Sequence, residues 1–364
     1  MKKVGMISLG CSKNTVDAEH MLYLLENNGY EICGSLEDCE IVIVNTCTFI
    51  EAAKKESIDA ILEAASYKNV GKLKKIIVTG CMAQRYKNEI HELMPEVDSV
   101  LGSKSFDRIC DAVENLDFFE CFESLEKETP EGGRILTTPD YSVYVKIADG
   151  CSNHCSYCVI PSVRGEFMPR DYENVIEEIR TLAFNGAKEI NIIAQDTTKY
   201  PELCKLIKET CRINSVKWVR ILYLRPEGVS DELLNLMRNE EKFVSYMDIP
   251  LQHASGTVLK RMNRNGDDKT LLRLIEHIRK TVKEVSLRTT FITGFPKESE
   301  EEFVTLCEFV KKAKFDNMGV FAYSREEGTP AGRMHGQINE DIKNHRRDLL
   351  MQLQLCLLYT SRCV

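Results

Sequence analysis

The chain has 364 residues, 43% of them apolar and 29% charged, which excludes intrinsic disorder and a collagen-like fibre and leaves room for about two or three domains. Its 48 Lys and Arg stand against 56 Asp and Glu, a net charge of −8, so no global positive field draws in a polyanion, although a local basic patch stays open. Fifteen cysteines are too many for an average cytosolic protein and too few for a disulfide-dense mini-scaffold.

No apolar run reaches the roughly 18 residues that a membrane helix needs. The opening MKKVGMISLGC has a basic tip and a Ser-Leu-Gly-Cys end, as a lipoprotein-type signal does. Its apolar stretch is short, contains Gly5 and runs straight into an amphipathic segment, which argues against that reading. The expectation is a cytoplasmic chain, whose cysteines serve as metal ligands, catalytic thiols or core residues rather than in disulfides. Their odd total points the same way.

In chain order, strand-like and helix-like patterns alternate: Val4–Leu9 then Val16–Glu26, Ile41–Asn45 then Glu51–Ala65, Lys75–Thr79 then Met82–Met94, Val97–Leu101 then Phe106–Leu116. Short β-rich runs, each followed by a period of 3.6, predict parallel βαβ units in an open sheet. Glu120–Tyr141, with its Pro, Gly and charge content, reads as a linker or extended connection. Alternation restarts with strands at Val143–Ala148, Glu189–Ala194, Trp218–Leu224, Val244–Ile249, Val285–Ile292 and Met318–Tyr323. Helices at Asn174–Phe184, Leu203–Cys211, Asp231–Arg238, Thr270–Lys283 and Glu300–Lys312 separate them. Six such units suit a partial or complete β/α barrel.

Cys151, Cys155 and Cys158 stand in D-G-C-S-N-H-C-S-Y-C, a C-x3-C-x2-C triplet directly after the first strand of the second domain. A loop at that end of a barrel strand is where such enzymes keep their chemistry. Three thiolates there suit an iron–sulfur cube with one iron left open, unlike the closed ferredoxin spacing. A zinc site recruiting His154, or unrelated core cysteines, are the alternatives; His154 adjoins Cys155, which makes a shared tetrahedron awkward. Cys11, Cys47 and Cys81 each follow a predicted strand, in ISLGC, IVNTC and IVTGC. The carboxyl ends of neighbouring parallel strands lie side by side, so these thiols should converge. The alternative is that cysteine is a common small residue near buried strand ends.

The triplet, with Tyr157 before its last cysteine, resembles the radical S-adenosylmethionine superfamily. Cys11, Cys47 and Cys81 in an amino-terminal α/β domain resemble its methylthiotransferase branch, from about residue 2 to 354. Ile193–Tyr200, Asp248–Ser255, Leu287–Pro296 and Gly319–Ala331 are close to the RimO type, which modifies a ribosomal protein. The resemblance implies a flavodoxin-like open-sheet domain over residues 1–121, a linker at 122–141, a radical domain at 142–330, a helix at 331–354 and an atypical tail at 355–364. It implies two [4Fe-4S] clusters, one on Cys151, Cys155 and Cys158 and an auxiliary one on Cys11, Cys47 and Cys81, with S-adenosylmethionine bound to the open iron. Reductive cleavage there would give a 5′-deoxyadenosyl radical that takes hydrogen from the β-carbon of an aspartate in ribosomal protein twelve of the small subunit. The second cluster would deliver sulfur, and a second S-adenosylmethionine the methyl group. The partners implied are the ribosomal protein, an electron-donor protein and a sulfur donor of unknown identity, with no membrane. Nucleic acid fits the acidic charge less well. The alternatives are a transfer-RNA adenosine methylthiotransferase and a non-catalytic zinc or iron–sulfur binding protein.

Around the triplet, Tyr157, Gln195, Gln252 and Arg288 are candidates for cofactor contacts, and Arg164, Arg170, Asp196 and His253 for substrate contacts. Arg164 and Arg170 suit a carboxylate partner, either the target aspartate or the cofactor carboxylate, because a guanidinium binds it bidentately. Against this, Asp and Gln at strand ends often cap the next helix, and His253 can simply satisfy a backbone carbonyl. Two positions depart from the family's usual form: Pro169-Arg170-Asp171 replaces a Ser-Arg-Pro order, and Arg225 in ILYLRPEG stands where an aromatic residue is more usual. Cys33, Cys39, Cys110, Cys121, Cys204, Cys211 and Cys307 read as packing or surface residues, and Cys356 and Cys363 belong to the tail. After Gln354 the family would continue into a small β-barrel called TRAM; here only LCLLYTSRCV remains.

Overall fold

The fold is taken from a computed structural model, which describes residues 2–362. Chain contacts divide it into two units, Met1–Ser152 with Val159–Glu178 and Asn153–Cys158 with Ile179–Val364.

In the first unit, β1 (Lys3–Ser8), β2 (Glu31–Ile32), β3 (Ile41–Thr46), β4 (Lys75–Gly80), β5 (Ser99–Leu101) and β6 (Phe119–Cys121) form one sheet in the order β2-β1-β3-β4-β5-β6. All its pairings are parallel. Helices α1 (Ser12–Asn27), α2 (Glu51–Val70), α3 (Cys81–Leu93) and α4 (Ile109–Glu114) cover it. Because side chains alternate across a strand, Val42, Val44, Ile76 and Val78 pack with Ile61 and Ala64 of α2 on one face. Ile41, Ile43 and Ile77 pack with Met21 and Leu25 of α1 on the other. A sheet covered on both faces explains why its strands read as continuous apolar runs. The order is flavodoxin-like, as expected, with β6 added at the edge.

The sequence reading missed β2 and β6, both too short to show a period. It also treated 122–141 as a linker, whereas this stretch is pinned within the first unit. Ile135 N–H donates to Glu19 O at 3.1 Å, Thr137 N–H to the Glu19 carboxylate at 2.8 Å, and Lys127 to Asp107 at 2.7 Å. Next come β7 (Ser142–Lys146), β8 (Ala148–Asp149), α5 (Ile160–Arg164), β9 (Met168–Pro169) and α6 (Tyr172–Phe184). The expected boundary at residue 142 therefore does not coincide with the division by contacts.

In the second unit, β10 (Glu189–Ile193) pairs parallel with β11 (Trp218–Ile221), and β12 (Tyr246–Asp248), β13 (Ser286–Thr293) and β14 (Asn317–Ala322) pair parallel in that order. Helices α7 (Leu203–Arg212), α8 (Asp231–Asn239), α9 (Gly256–Arg261), α10 (Asp268–Thr281) and α11 (Glu300–Ala313) alternate with them. Reciprocal capping boxes start two of these: Asp267 with Thr270 on α10 and Ser299 with Glu302 on α11. No closed barrel forms among the described residues, so the partial form of the expected β/α architecture is the one observed.

The last helix, α12, runs Glu340–Arg362 rather than ending at 354, so most of the expected tail continues it. Lys343 Nζ donates to Tyr323 O at 3.1 Å, and Gln354 Nε2 to Phe315 O at 2.7 Å. Cys363 lies outside the described residues. No helix among the described residues is long and apolar enough to cross a membrane.

His20 on α1 is buried, stacked on Phe106 and hydrogen-bonded through Nδ1 to Gly133 O at 3.1 Å. Burial holds its imidazole down to about 4. The unfolded chain takes up that proton below the ordinary value of about 6.5, so stability should fall as pH drops from there towards 4, by on the order of 3 kcal/mol. Urea denaturation at pH 7 and pH 4.5 should show a smaller acid loss in His20→Gln than in the native chain.

Two candidate thiol centres

The sheet register gathers the first centre. Asn45 pairs with Thr79 and Thr46 with Gly80, which carries Cys47 and Cys81 out of adjacent strands in the same row. Strand β1, on the other side of β3, ends at Ser8 opposite Asn45 and leads through Gly10 to Cys11. Asn14 ties these ends together, its Nδ2 donating to Leu9 O at 3.0 Å and to Thr46 O at 2.9 Å. Two glycines make room. A Cβ on Gly10 would lie 2.9 Å from Cys47 Sγ, and one on Gly80 would lie 2.6 Å from Thr46 O. Gly80 has φ 94° and ψ −156°, a region essentially confined to glycine.

The thiols differ in acidity. Desolvation by its surroundings opposes ionisation of Cys11, which is itself exposed, but Lys13, the backbone N–H of Asn14 and Arg164 together hold it below its ordinary value. Cys11 is also the N-cap of α1, a position that favours a thiolate. Burial pushes Cys47 up, and Cys81 up to about 11; both also feel the Cys11 thiolate.

Beneath them lies a buried charge cluster. Arg164 Nε donates to Cys81 Sγ at 3.4 Å, while Nη1 donates to Asp17 at 2.5 Å and Asp149 at 3.3 Å and Nη2 to Asn14 Oδ1. Lys146 pairs with Asp17, and Lys104 with Asp149 at 3.4 Å. Arg164 is 2% exposed. The expectation that its guanidinium grips a substrate carboxylate is therefore corrected: Asp17 and Asp149 already fill that role. Arg170 is likewise engaged, by Glu131 at 2.9 Å, Glu178 at 2.6 Å and Lys146 O at 2.7 Å.

The second set of thiols follows β8 on a single loop. Cys151 N–H donates to Gly165 O at 3.0 Å. Within the second unit, Ser156 N–H donates to Met262 O at 3.0 Å, its Oγ to Arg261 O at 2.8 Å, and Asn263 Nδ2 to His154 O at 2.9 Å. Asn153 Nδ2 donates to Asp196 at 2.8 Å. Asp196 thus anchors the loop rather than standing open to substrate. Cys155 is buried and accepts from Arg225 Nη1 at 3.3 Å. Partial burial raises Tyr157, whose hydroxyl faces Cys155 and lies 3.5 Å from Arg264 Nη1.

The remaining candidates divide. Gln195 is half-buried two residues past the end of β10. Gln252, at φ 72°, extends the pairing of β13 through Thr290 O and Ile292 N–H, both at 2.8 Å. His253 is fully buried; Nδ1 accepts from Ser255 N–H at 2.9 Å and Nε2 lies 3.5 Å from Glu298. His253 is therefore structural rather than a substrate contact, and its backbone partner is the Ser255 N–H instead of the expected carbonyl. Arg288 sits third in β13 on its exposed side, paired with Asp248 at 3.3 Å. Five residues of strand at about 3.3 Å each separate it from the carboxyl end, so the expected cofactor contact is corrected. Sequence reasoning missed Asn153, Ser156 and Asn263; the polar run M-N-R-N-G-D at 262–267 was the available signal.

Among the described residues, no three His, Cys, Asp or Glu side chains are grouped to chelate a single metal ion. An iron–sulfur cube takes thiolates at its corners rather than at one centre, so its ligands stand farther apart. All described cysteines carry free thiols, and the donor set around each triplet, sulfur with cationic N–H groups, fits an anionic cluster.

Residues 3–102 match a family described as uncharacterized protein family UPF0004, and residues 145–310 match the radical SAM superfamily. A radical S-adenosylmethionine methyltransferase, TsrM from Kitasatospora setae, has the same fold over 91% of this chain and 74% of its own, at a TM-score of 0.65 and 14% identity. The cobalamin-dependent radical enzyme OxsB aligns over 98% of this chain and 56% of its own, at 0.58 and 12%. Fold and family matches together define a radical S-adenosylmethionine enzyme. The chain is 44% identical over 97% of its length to the ribosomal protein uS12 methylthiotransferase RimO of Clostridioides difficile, covering 82% of that protein. It is 46% identical to the RimO of Clostridium botulinum strain Eklund 17B, covering 81%, and 45% identical to that of Alkaliphilus oremlandii, also covering 81%. It belongs to the RimO family of methylthiotransferases.

Removing Arg164 takes one cation away from Asp17 and Asp149, which keep Lys146 and Lys104, so the cost should stay below the roughly 3–5 kcal/mol of leaving a buried charge unpaired. Arg164→Met should lower the urea midpoint accordingly. Gly80→Ala should cost about 1–3 kcal/mol in the same assay.

Proposed function

We propose that this chain inserts a methylthio group at the β-carbon of an aspartate in ribosomal protein uS12. The observation that carries this reading is identity of 44–46% over nearly the whole chain to uS12 methylthiotransferases. In this reading Cys151, Cys155 and Cys158 hold the radical [4Fe-4S] cluster, and Cys11, Cys47 and Cys81 hold the auxiliary one. The chemistry supplied by the radical cluster is one-electron reduction of the S-adenosylmethionine sulfonium, which yields a carbon radical able to take hydrogen from an unactivated C–H bond. A general base has no purchase on such a bond, because it lacks useful acidity.

The chain's own residues bind and orient. Ser156, Asn153 and Asn263 fix the loop that presents Cys155 and Cys158. Tyr157 packs beside the Cys155 sulfur and limits water there. Asn14 and the two strand-end glycines set the spacing of the first triplet, and Arg164 supplies positive charge beneath it. Tyr157, Gln195 and Gln252 remain the candidates for holding S-adenosylmethionine. The site of action is the cytoplasm, with a one-electron donor protein and a sulfur donor as further partners.

Anoxic reconstitution of the full chain should give about eight irons per chain, and about four in a Cys11→Ala, Cys47→Ala, Cys81→Ala variant. With reductant and S-adenosylmethionine it should release 5′-deoxyadenosine, and Cys155→Ala should not. Offered uS12 and transfer RNA together, it should add the methylthio mass to uS12; addition to the RNA instead would replace the ribosomal substrate with the nucleic acid.

A further inference from the structure

Arg225 follows β11 at the start of a short turn, Pro226–Gly228. Its side chain is 15% exposed. Glu227 accepts from Nε and from Nη2, both at 3.2 Å, so a carboxylate grips one edge of the planar guanidinium. That grip leaves Nη1, which donates to Cys155 Sγ at 3.3 Å. The turn is itself fixed: Leu224 N–H donates to Asp248 O at 2.9 Å, and Gly228 packs so tightly on Thr198 that a Cβ would lie 2.2 Å from its side chain. Arg225 is therefore held in place by groups other than the sulfur it addresses. An aromatic ring at this position would bring neither the charge nor the N–H.

We propose that Arg225 is a positioning residue for the Cys155 sulfur and makes the cluster held there easier to reduce. This rests on Cys155 being a ligand of the radical cluster, as read above. Reduction adds one electron, supplied by a one-electron donor, and part of the added negative charge falls on the ligand sulfurs. An N–H donated to one of them stabilises the reduced form more than the oxidised form, and hydrogen bonds to sulfur are among the levers that set cluster potentials. Glu227 acts in the opposite sense, because its carboxylate offsets the guanidinium charge.

The test uses the full chain carrying Cys11→Ala, Cys47→Ala and Cys81→Ala, reconstituted anoxically so that only the radical cluster is present. It is titrated with dithionite under electron paramagnetic resonance, without S-adenosylmethionine. Arg225→Phe and Arg225→Gln should each lower the reduced-to-oxidised ratio at a fixed potential about tenfold, equivalent to about 59 mV. Arg225→Lys should restore part of the loss, and Glu227→Gln should raise the ratio. Opposite signs at 225 and 227 are not what a merely structural role would give.

Unchanged ratios in Arg225→Phe and Arg225→Gln, each with the native iron content, overturn the proposal and leave the function reading intact. A shift seen only after S-adenosylmethionine is added also overturns it, and assigns Arg225 to the cofactor instead. A background variant that holds no iron overturns the ligand assignment itself, and Arg225's role with it.

Discussion

The contact on which the first thiol centre depends is the buried ion pair between Arg164 and Asp17. Taking charges out of water is expensive, and a buried pair seldom repays more than its own desolvation, so pairing alone does not account for a cluster of Arg164, Lys104, Lys146, Asp17 and Asp149. Its ion pairs set three cations against two carboxylates. The excess positive charge lies next to Cys81, and the same guanidinium helps to lower the pKa of Cys11. A buried cation needs an anion, and Cys11, the one thiol of the three held below its ordinary value, is the sulfur most ready to supply it. The cluster is thus explained by what sits above it rather than by the stability of its own pairs.

Asn14 extends that logic into the backbone. One side chain donates to the ends of β1 and β3 and accepts from Arg164, so strand spacing and charge placement are fixed by the same residue. Slipping β3 against β4 by one residue would flip Val42 and Val44 out of their core face and move Cys47 out of line with Cys81. The hydrophobic register that folds the sheet therefore also brings the thiols together, with no separate energy needed to assemble them.

Much of this was legible in sequence because it is periodic. Strands β1, β3 and β4 read as continuous apolar runs since both faces are covered, and the cysteine after each announced a shared edge. The Gly10-Cys11 and Gly80-Cys81 pairs carried the backbone requirement in plain view. What was not legible has a different physical character. Whether Arg164, Asp196 or His253 meets a ligand or the protein depends on which side chain fills the partner position, and those partners lie far away in the chain: Asp17, Asn153 and Glu298. Arg288 was misplaced for a simpler reason, since a polar residue in a strand names neither its face nor its end. The segment 122–141 looked like a linker because its composition is that of a loop, while its anchors are scattered hydrogen bonds to Glu19 and Ser105 and an ion pair to Asp107 that leave no periodic trace.

These displaced assignments change how the second thiol centre is understood. The loop bearing Cys155 and Cys158 is held mainly by backbone carbonyls of Arg261 and Met262 and by Asn263 and Asp196, so Asp196, one of the four side chains expected to meet substrate, is occupied in shaping the loop. Rigid presentation of a reactive group requires just such a shell, because a ligand that drifts by a fraction of an ångström loses its orientation. Fixing the loop with main-chain contacts also frees the side chain at position 225 to vary without collapse of the fold. Arg225 can then act on one sulfur while the scaffold around it stays the same.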